Sequence, residues 1–209
     1  MKDIVCHIDM SKTHSTIEEE VTKVWGKSLS YHIFNVSDEN YQEQYVELAR
    51  ILGTIKECHP VNDKSTKFSN SRDIKYTPGI NHYFASNKRQ PLHNDYAYYE
   101  KDKSPDWLML YCIQPSEYGG LTSFISTEKM KKILEKYNED LLKKILDTKI
   151  NYKYNGLDGD KIHKKRLFDG KNINWNYWQV KDHLNSREVL EVKEEFFNFL
   201  EEFIVGGSM

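Results

Sequence analysis

Pro91-Leu92-His93-Asn94-Asp95-Tyr96-Ala97-Tyr98-Tyr99 is the stretch that decides how this chain is read. Its β-favouring aromatic residues predict a strand, along which side chains two apart project to the same face. His93 and Asp95 therefore converge, one imidazole and one carboxylate, on a point that suits a single metal ion. A second imidazole from elsewhere would complete the facial triad that suits non-haem Fe(II), with positions left open for a co-substrate and O₂. The motif alone is weak, because 8 His and 32 acidic residues give about one His-x-Asp/Glu match by chance. The chain holds one other, His7-Ile8-Asp9, which lies close to the start and reads as an ordinary N-terminal segment.

Working outward, Trp107–Ile113 is a near-continuous apolar run of the kind found in strands buried on both faces. Gln114–Gly120 breaks it, and Leu121–Ile125 resumes β character around the β-branched Thr122. Before the central stretch, Ser15-Thr16-Ile17-Glu18 has capping-box spacing and predicts a short helix to about Trp25. Ser30–Val36 is β-rich. Ser37 is placed to cap a second helix, whose Tyr41, Tyr45, Leu48, Ala49 and Leu52 form one stripe before Gly53. Gly53–Lys64, Phe68–Tyr76 and His82–Ala85 read as strand and loop material around the Pro78-Gly79 turn. After the central stretch, helices are predicted at 127–137, 139–147 and 187–204, with a polar stretch over 148–182 that contains the strand-like Ile173–Val180.

Composition narrows the function classes. A length of 209 residues suits one domain, 1–209, with a single core. The net charge of −2 provides no electrostatic footprint for nucleic acid or an anionic membrane, and the Lys161–Arg166 run reads as a solvated face. No apolar run is long enough to span a bilayer, and the start has no signal-peptide pattern. Cys6, Cys58 and Cys112 are widely spaced and odd in number, which argues against a disulfide framework or a zinc knuckle and favours a reducing, cytoplasmic setting.

Three blocks in order, Phe84-Ala85-Ser86 through Pro91-Leu92-His93-Asn94-Asp95, Asp106-Trp107-Leu108-Met109-Leu110-Tyr111-Cys112 and Gly119-Gly120-Leu121-Thr122-Ser123-Phe124, carry a family resemblance. The chain resembles the taurine dioxygenase/clavaminate synthase-like family of Fe(II)- and 2-oxoglutarate-dependent oxygenases, over about residues 15–200 and most strongly from 80 to 126. The resemblance implies a mainly β fold with flanking helices. That fold is a double-stranded β-helix (jelly roll), with 15–80 as an N-terminal helix and strand layer and 80–209 as barrel core with a helical insertion. It implies His93 and Asp95 as ligands of Fe(II) and Thr122 as a contact to 2-oxoglutarate. It further implies oxidative decarboxylation of 2-oxoglutarate to succinate and CO₂, coupled to hydroxylation or desaturation of a small, amino-acid-like substrate by O₂.

The family's second histidine and its arginine stand on late strands, in a stretch like Asp-Asn-x-x-x-x-His-x-Arg, and this sequence has no such stretch. The resemblance thus implies a jelly roll incomplete at its C-terminal edge. An open edge recruits another chain, so a homo-oligomer or a complementing polypeptide is the expected partner. The alternative function is a catalytically incompetent remnant, or half of a split enzyme, acting through that partner. His183, in Val180-Lys181-Asp182-His183-Leu184-Asn185-Ser186-Arg187, is the candidate third ligand, ahead of His163; His59 and His82 read as structural. Arg89 is within reach of an acidic co-substrate but reads as a surface residue. Tyr96, Tyr98, Tyr99, Trp175, Tyr177 and Trp178 are candidates to line a cleft or, more ordinarily, to pack.

Overall fold

The computed structural model describes residues 5–25, 30–55, 74–79, 86–99, 104–156 and 159–206. The strand expectations at 56–64, 68–73 and 82–85, with Cys58, His59 and His82, lie outside the described residues. The chain divides into two compact units, one from residues 1–72 and 107–121, the other from 73–106 and 122–209.

In the first unit, strand β1 (Val5–Asp9), helix α1 (His14–Val24) and strand β2 (Ser30–Phe34) form a parallel crossover, with Val5 opposite Ser30 and Asp9 opposite Phe34. Parallel strands need such a crossover, because a tight hairpin joins only antiparallel ones. Ile17 and Val21, one turn apart on α1, bury against Ile8, Met10 and Leu48. Helix α2 (Tyr41–Leu52) supplies Leu48 and stops at Gly53, whose φ of 152° is open only to glycine at low cost. It begins four residues after Ser37, whose backbone N–H is instead taken by the Gln44 side chain at 2.7 Å.

Trp107–Ile113, expected as a strand buried on both faces, has no ladder among the described residues, and Leu108, Leu110 and Ile113 are 56, 53 and 66% exposed. An apolar run becomes a buried strand only when a neighbour accepts its backbone groups. Here alternate side chains dock instead. Trp107 lies 4.1 Å from Trp25 between ring centroids, Met109 joins the core of this unit, and Tyr111 stacks on Tyr41 at 4.3 Å. Leu121–Ile125 likewise has no ladder among the described residues.

In the second unit, helices α3 (Thr127–Tyr137) and α4 (Glu139–Asp147) occupy the positions expected from their periodicity. Asn138 separates them and serves both. Its N–H caps α3 on the Leu134 carbonyl at 2.8 Å, and its Oδ1 accepts the Leu141 N–H at 3.0 Å. Strands β3 (Lys149–Gly156) and β4 (Gly159–Arg166) then form an antiparallel hairpin, Lys149 opposite Arg166, inside the stretch read as polar. Helix α5 (Arg187–Phe199) ends in a π-turn over Leu200–Val205. Ile173–Val180, expected as a strand, makes one bridge, Ile173 to Phe168, and a 3₁₀ turn at Tyr177–Gln179. The core of this unit gathers Leu134, Leu141, Ile145, Tyr152, Trp175 and Phe196, all nearly or fully buried. Among the described residues the strands make two-stranded sheets, β1–β2 and β3–β4, and no helix is long and apolar enough to cross a membrane.

Replacing the shared cap tests this packing. Asn138→Ala should cost about 1 kcal/mol, read as a lower urea midpoint with an unchanged slope. An unaltered midpoint would show that the cap contributes nothing.

Candidate metal site

The central stretch lies in the second unit, where it is pinned at both ends. Pro91 is buried and Leu92 packs on the core, while beyond the site Ala97 and Tyr99 are 3 and 7% exposed. Between these anchors the backbone does not form the expected strand. Residues 95–98 make a turn closed by the Tyr99 N–H on the Tyr96 carbonyl at 2.9 Å, with Tyr96 at a φ of 58°. That left-handed conformation is uncommon for a side chain with a Cβ, and it persists where the surroundings over-determine it. Here they do: Tyr96 and Tyr99 meet edge to face at 4.8 Å, and Lys165 Nζ donates to the Tyr99 carbonyl at 2.7 Å.

The turn achieves what the strand was expected to do. His93 Nε2 and Asp95 Oδ1 stand 3.3 Å apart. Two donors at right angles on one metal, each about 2.1 Å from it, would be about 3 Å apart, so the pair fits the bite of a single cation. His93 Nδ1 is 2.8 Å from the Pro91 carbonyl, a contact that places the proton on Nδ1 and leaves the Nε2 lone pair for a metal. Gln90 Nε2 also approaches His93 Nε2, at 3.1 Å. Without a metal, the hydrogen bond to Asp95 raises the His93 pKa, the Pro91 carbonyl adds to the effect, and burial partly opposes it.

Asn94, between the two donors, was not singled out from the sequence. Its N–H donates to the Trp175 carbonyl at 2.7 Å, and its Oδ1 accepts a longer return contact of 3.4 Å from the Trp175 N–H. Trp175 is 2% exposed and packs edge to face on Phe196, so the turn that carries His93 and Asp95 is tied to the core through Asn94. The only sequence signal was the placement of an amide side chain at the middle position of the motif.

The other candidates lie apart from the pair. Thr122 is exposed in the irregular segment before α3 and is not among the hydrogen-bond partners described for His93 or Asp95. His183 is exposed on the 3₁₀ turn Asp182–Leu184, and among the described residues no third His, Cys, Asp or Glu completes a group with His93 and Asp95. Arg89 forms an ion pair with Glu201, on the π-turn that ends α5. Of the aromatics, Tyr99 and Trp175 are core residues, Tyr177 packs on Phe197 at 4.3 Å, and Trp178 is 49% exposed.

The profile of the family described as "Taurine catabolism dioxygenase TauD, TfdA family" matches residues 8–204, a span that includes His93, Asp95 and Thr122. No curated protein and no solved structure gives a significant match.

The His93–Asp95 contact has a signed consequence for pH. A folded-state imidazole pKa above its usual 6.5 gives stability that is fully present below that value and is lost as pH rises through the raised one. Asp95→Asn should therefore lower the His93 midpoint in an NMR titration, and should destabilise the metal-free protein more in acid than in alkali. An identical His93 midpoint in parent and variant would show that the contact is not made in solution.

Proposed function

We propose that this chain, which belongs to the TauD/TfdA family of Fe(II)- and 2-oxoglutarate-dependent dioxygenases, hydroxylates or desaturates a small, amino-acid-like substrate. The observation that carries the proposal is the 3.3 Å separation of His93 Nε2 and Asp95 Oδ1 in a turn anchored to the core. When bound, Fe(II) with 2-oxoglutarate and O₂ would supply the oxidising power that side chains lack.

The chain's own residues do the positioning. His93 and Asp95 would hold the metal, one as a neutral donor and the other as a charge that offsets the cation. The Pro91 carbonyl would keep the imidazole in the right tautomer, and the Asn94–Trp175 exchange would set the angle between the ligands. Thr122 is our candidate for a hydroxyl contact to 2-oxoglutarate. The frame we propose for these residues is a double-stranded β-helix, supported by the order of the three sequence blocks and the family match.

A second proposal follows from the donor count. Two protein ligands hold Fe(II) less firmly than three, and among the described residues no third donor completes a group with His93 and Asp95. A complementing polypeptide or a second copy would supply that donor.

Anaerobic addition of Fe(II) and 2-oxoglutarate to the full chain should produce a weak metal-to-ligand band in the visible, absent from His93→Ala and Asp95→Ala. Admitting O₂ should then convert 2-oxoglutarate to succinate. A band that survives both substitutions would overturn the site assignment. A band that appears only in oligomeric fractions would favour the complementation proposal.

A further inference from the structure

The match set aside as an ordinary N-terminal segment, His7-Ile8-Asp9, lies on β1, and the parallel register places His7 directly opposite His32 on β2. Ile8 is fully buried, so alternation along the strand sends His7 and Asp9 to the opposite face. His32 is exposed beside His7, with its Nδ1 3.2 Å from the Nδ1 of His7. The ring of Phe34 borders both imidazoles, stacked on His32 at 5.7 Å and edge-on to His7 at 6.5 Å.

We propose that His7 and His32 form a second metal site, one that takes a borderline divalent cation such as Zn²⁺, Ni²⁺ or Cu²⁺. Two nitrogens, each about 2.1 Å from one metal, lie about 3.0 Å apart at a right angle and about 3.4 Å apart at a tetrahedral one. The observed 3.2 Å falls between these limits. Two neutral imidazoles share only one N–H across such a gap, whereas a cation accepts the lone pair of each.

The surroundings select the class of metal. The open basin beside His7 is lined by Asp9 and Glu20 but also by Lys12 and Lys23, so no net negative field draws Ca²⁺ or Mg²⁺. Lys12 and Glu20 pair with each other, and Asp9 Oδ1 already accepts from Ser11 and Asn35, at 2.8–3.0 Å. Imidazole donation therefore dominates, which favours Cu²⁺, Ni²⁺ and Zn²⁺ over Fe²⁺. Among the described residues no third ligand completes a group here, so water fills the remaining positions and exchange is rapid. The metal would clip β1 to β2 in their native register and would stabilise the folded chain by mass action.

The test is a calorimetric Zn²⁺ titration of the full chain carrying Asp95→Ala, which disables the other pair. One equivalent should bind in that background. It should be lost on adding either His7→Gln or His32→Gln, and retained with His14→Gln, whose side chain pairs with Glu47. Mg²⁺ should give no heat. Both imidazoles are exposed, so the substitutions should leave the far-ultraviolet spectrum unchanged. An independent readout uses the unsubstituted chain, where Zn²⁺ should shift the imidazole resonances of His7 and His32 together. Titrations indistinguishable from the Asp95→Ala background in both variants, or a shift in only one of the two rings, would overturn the proposal.

Discussion

The hydrogen bond from the Asn94 N–H to the Trp175 carbonyl is the constraint on which the candidate metal site depends. The Asn94 N–H donates to the Trp175 carbonyl at 2.7 Å, and Trp175 is itself buried against Phe196. His93 and Asp95 flank Asn94, so whatever fixes Asn94 fixes the starting points of both candidate side chains. A net hydrogen bond contributes only about 1 kcal/mol to stability, yet its angular effect on two adjacent donors is much larger than its energy. The hydrogen bond between His93 and the half-exposed Asp95 closes the pair at 3.3 Å. The turn at 95–98, the left-handed Tyr96 and the Lys165 contact to Tyr99 complete that restraint.

Two matches to the His-x-Asp pattern in this chain show how little the pattern determines by itself. At His7-Ile8-Asp9 the backbone is a strand, the geometry that the sequence predicts at 93–95. There the carboxylate goes to Ser11 and Asn35 and the imidazole to His32 across the sheet. At His93-Asn94-Asp95 the backbone is a turn, and the two side chains meet each other. The difference lies in tertiary partners, Trp175 in one case and β2 in the other, which no local window contains.

The same division runs through the fold. Helices α3 and α4 were legible because their apolar spacing, caps and charges agree: Met130, Ile133 and Leu134 on one, Leu141, Leu142 and Ile145 on the other, with Asn138 between. The β3–β4 hairpin leaves a weak signal because its Lys residues mask the alternation of Ile150 and Tyr152, both fully buried, although Gly156 pairs with Gly159 at its end. Trp107–Ile113 misled in the opposite direction. Its apolar run predicts two buried faces, whereas Trp107 and Tyr111 dock on aromatics of the first unit and Leu108, Leu110 and Ile113 are exposed. The pair at 93 and 95 was legible as chemistry, but the residue that positions it was not, because a hydrogen bond to a backbone group about eighty positions away leaves no local periodic signal.

Anaerobic equilibrium dialysis with Fe(II) on the parent, Asp95→Ala and Asn94→Ala chains most directly tests whether a positioned His93–Asp95 pair is the metal centre. The account predicts loss of Fe(II) from Asp95→Ala and near-parent binding by Asn94→Ala, which removes the 3.4 Å Oδ1 contact but keeps the N–H donor to Trp175. Equal binding by all three chains would contradict it.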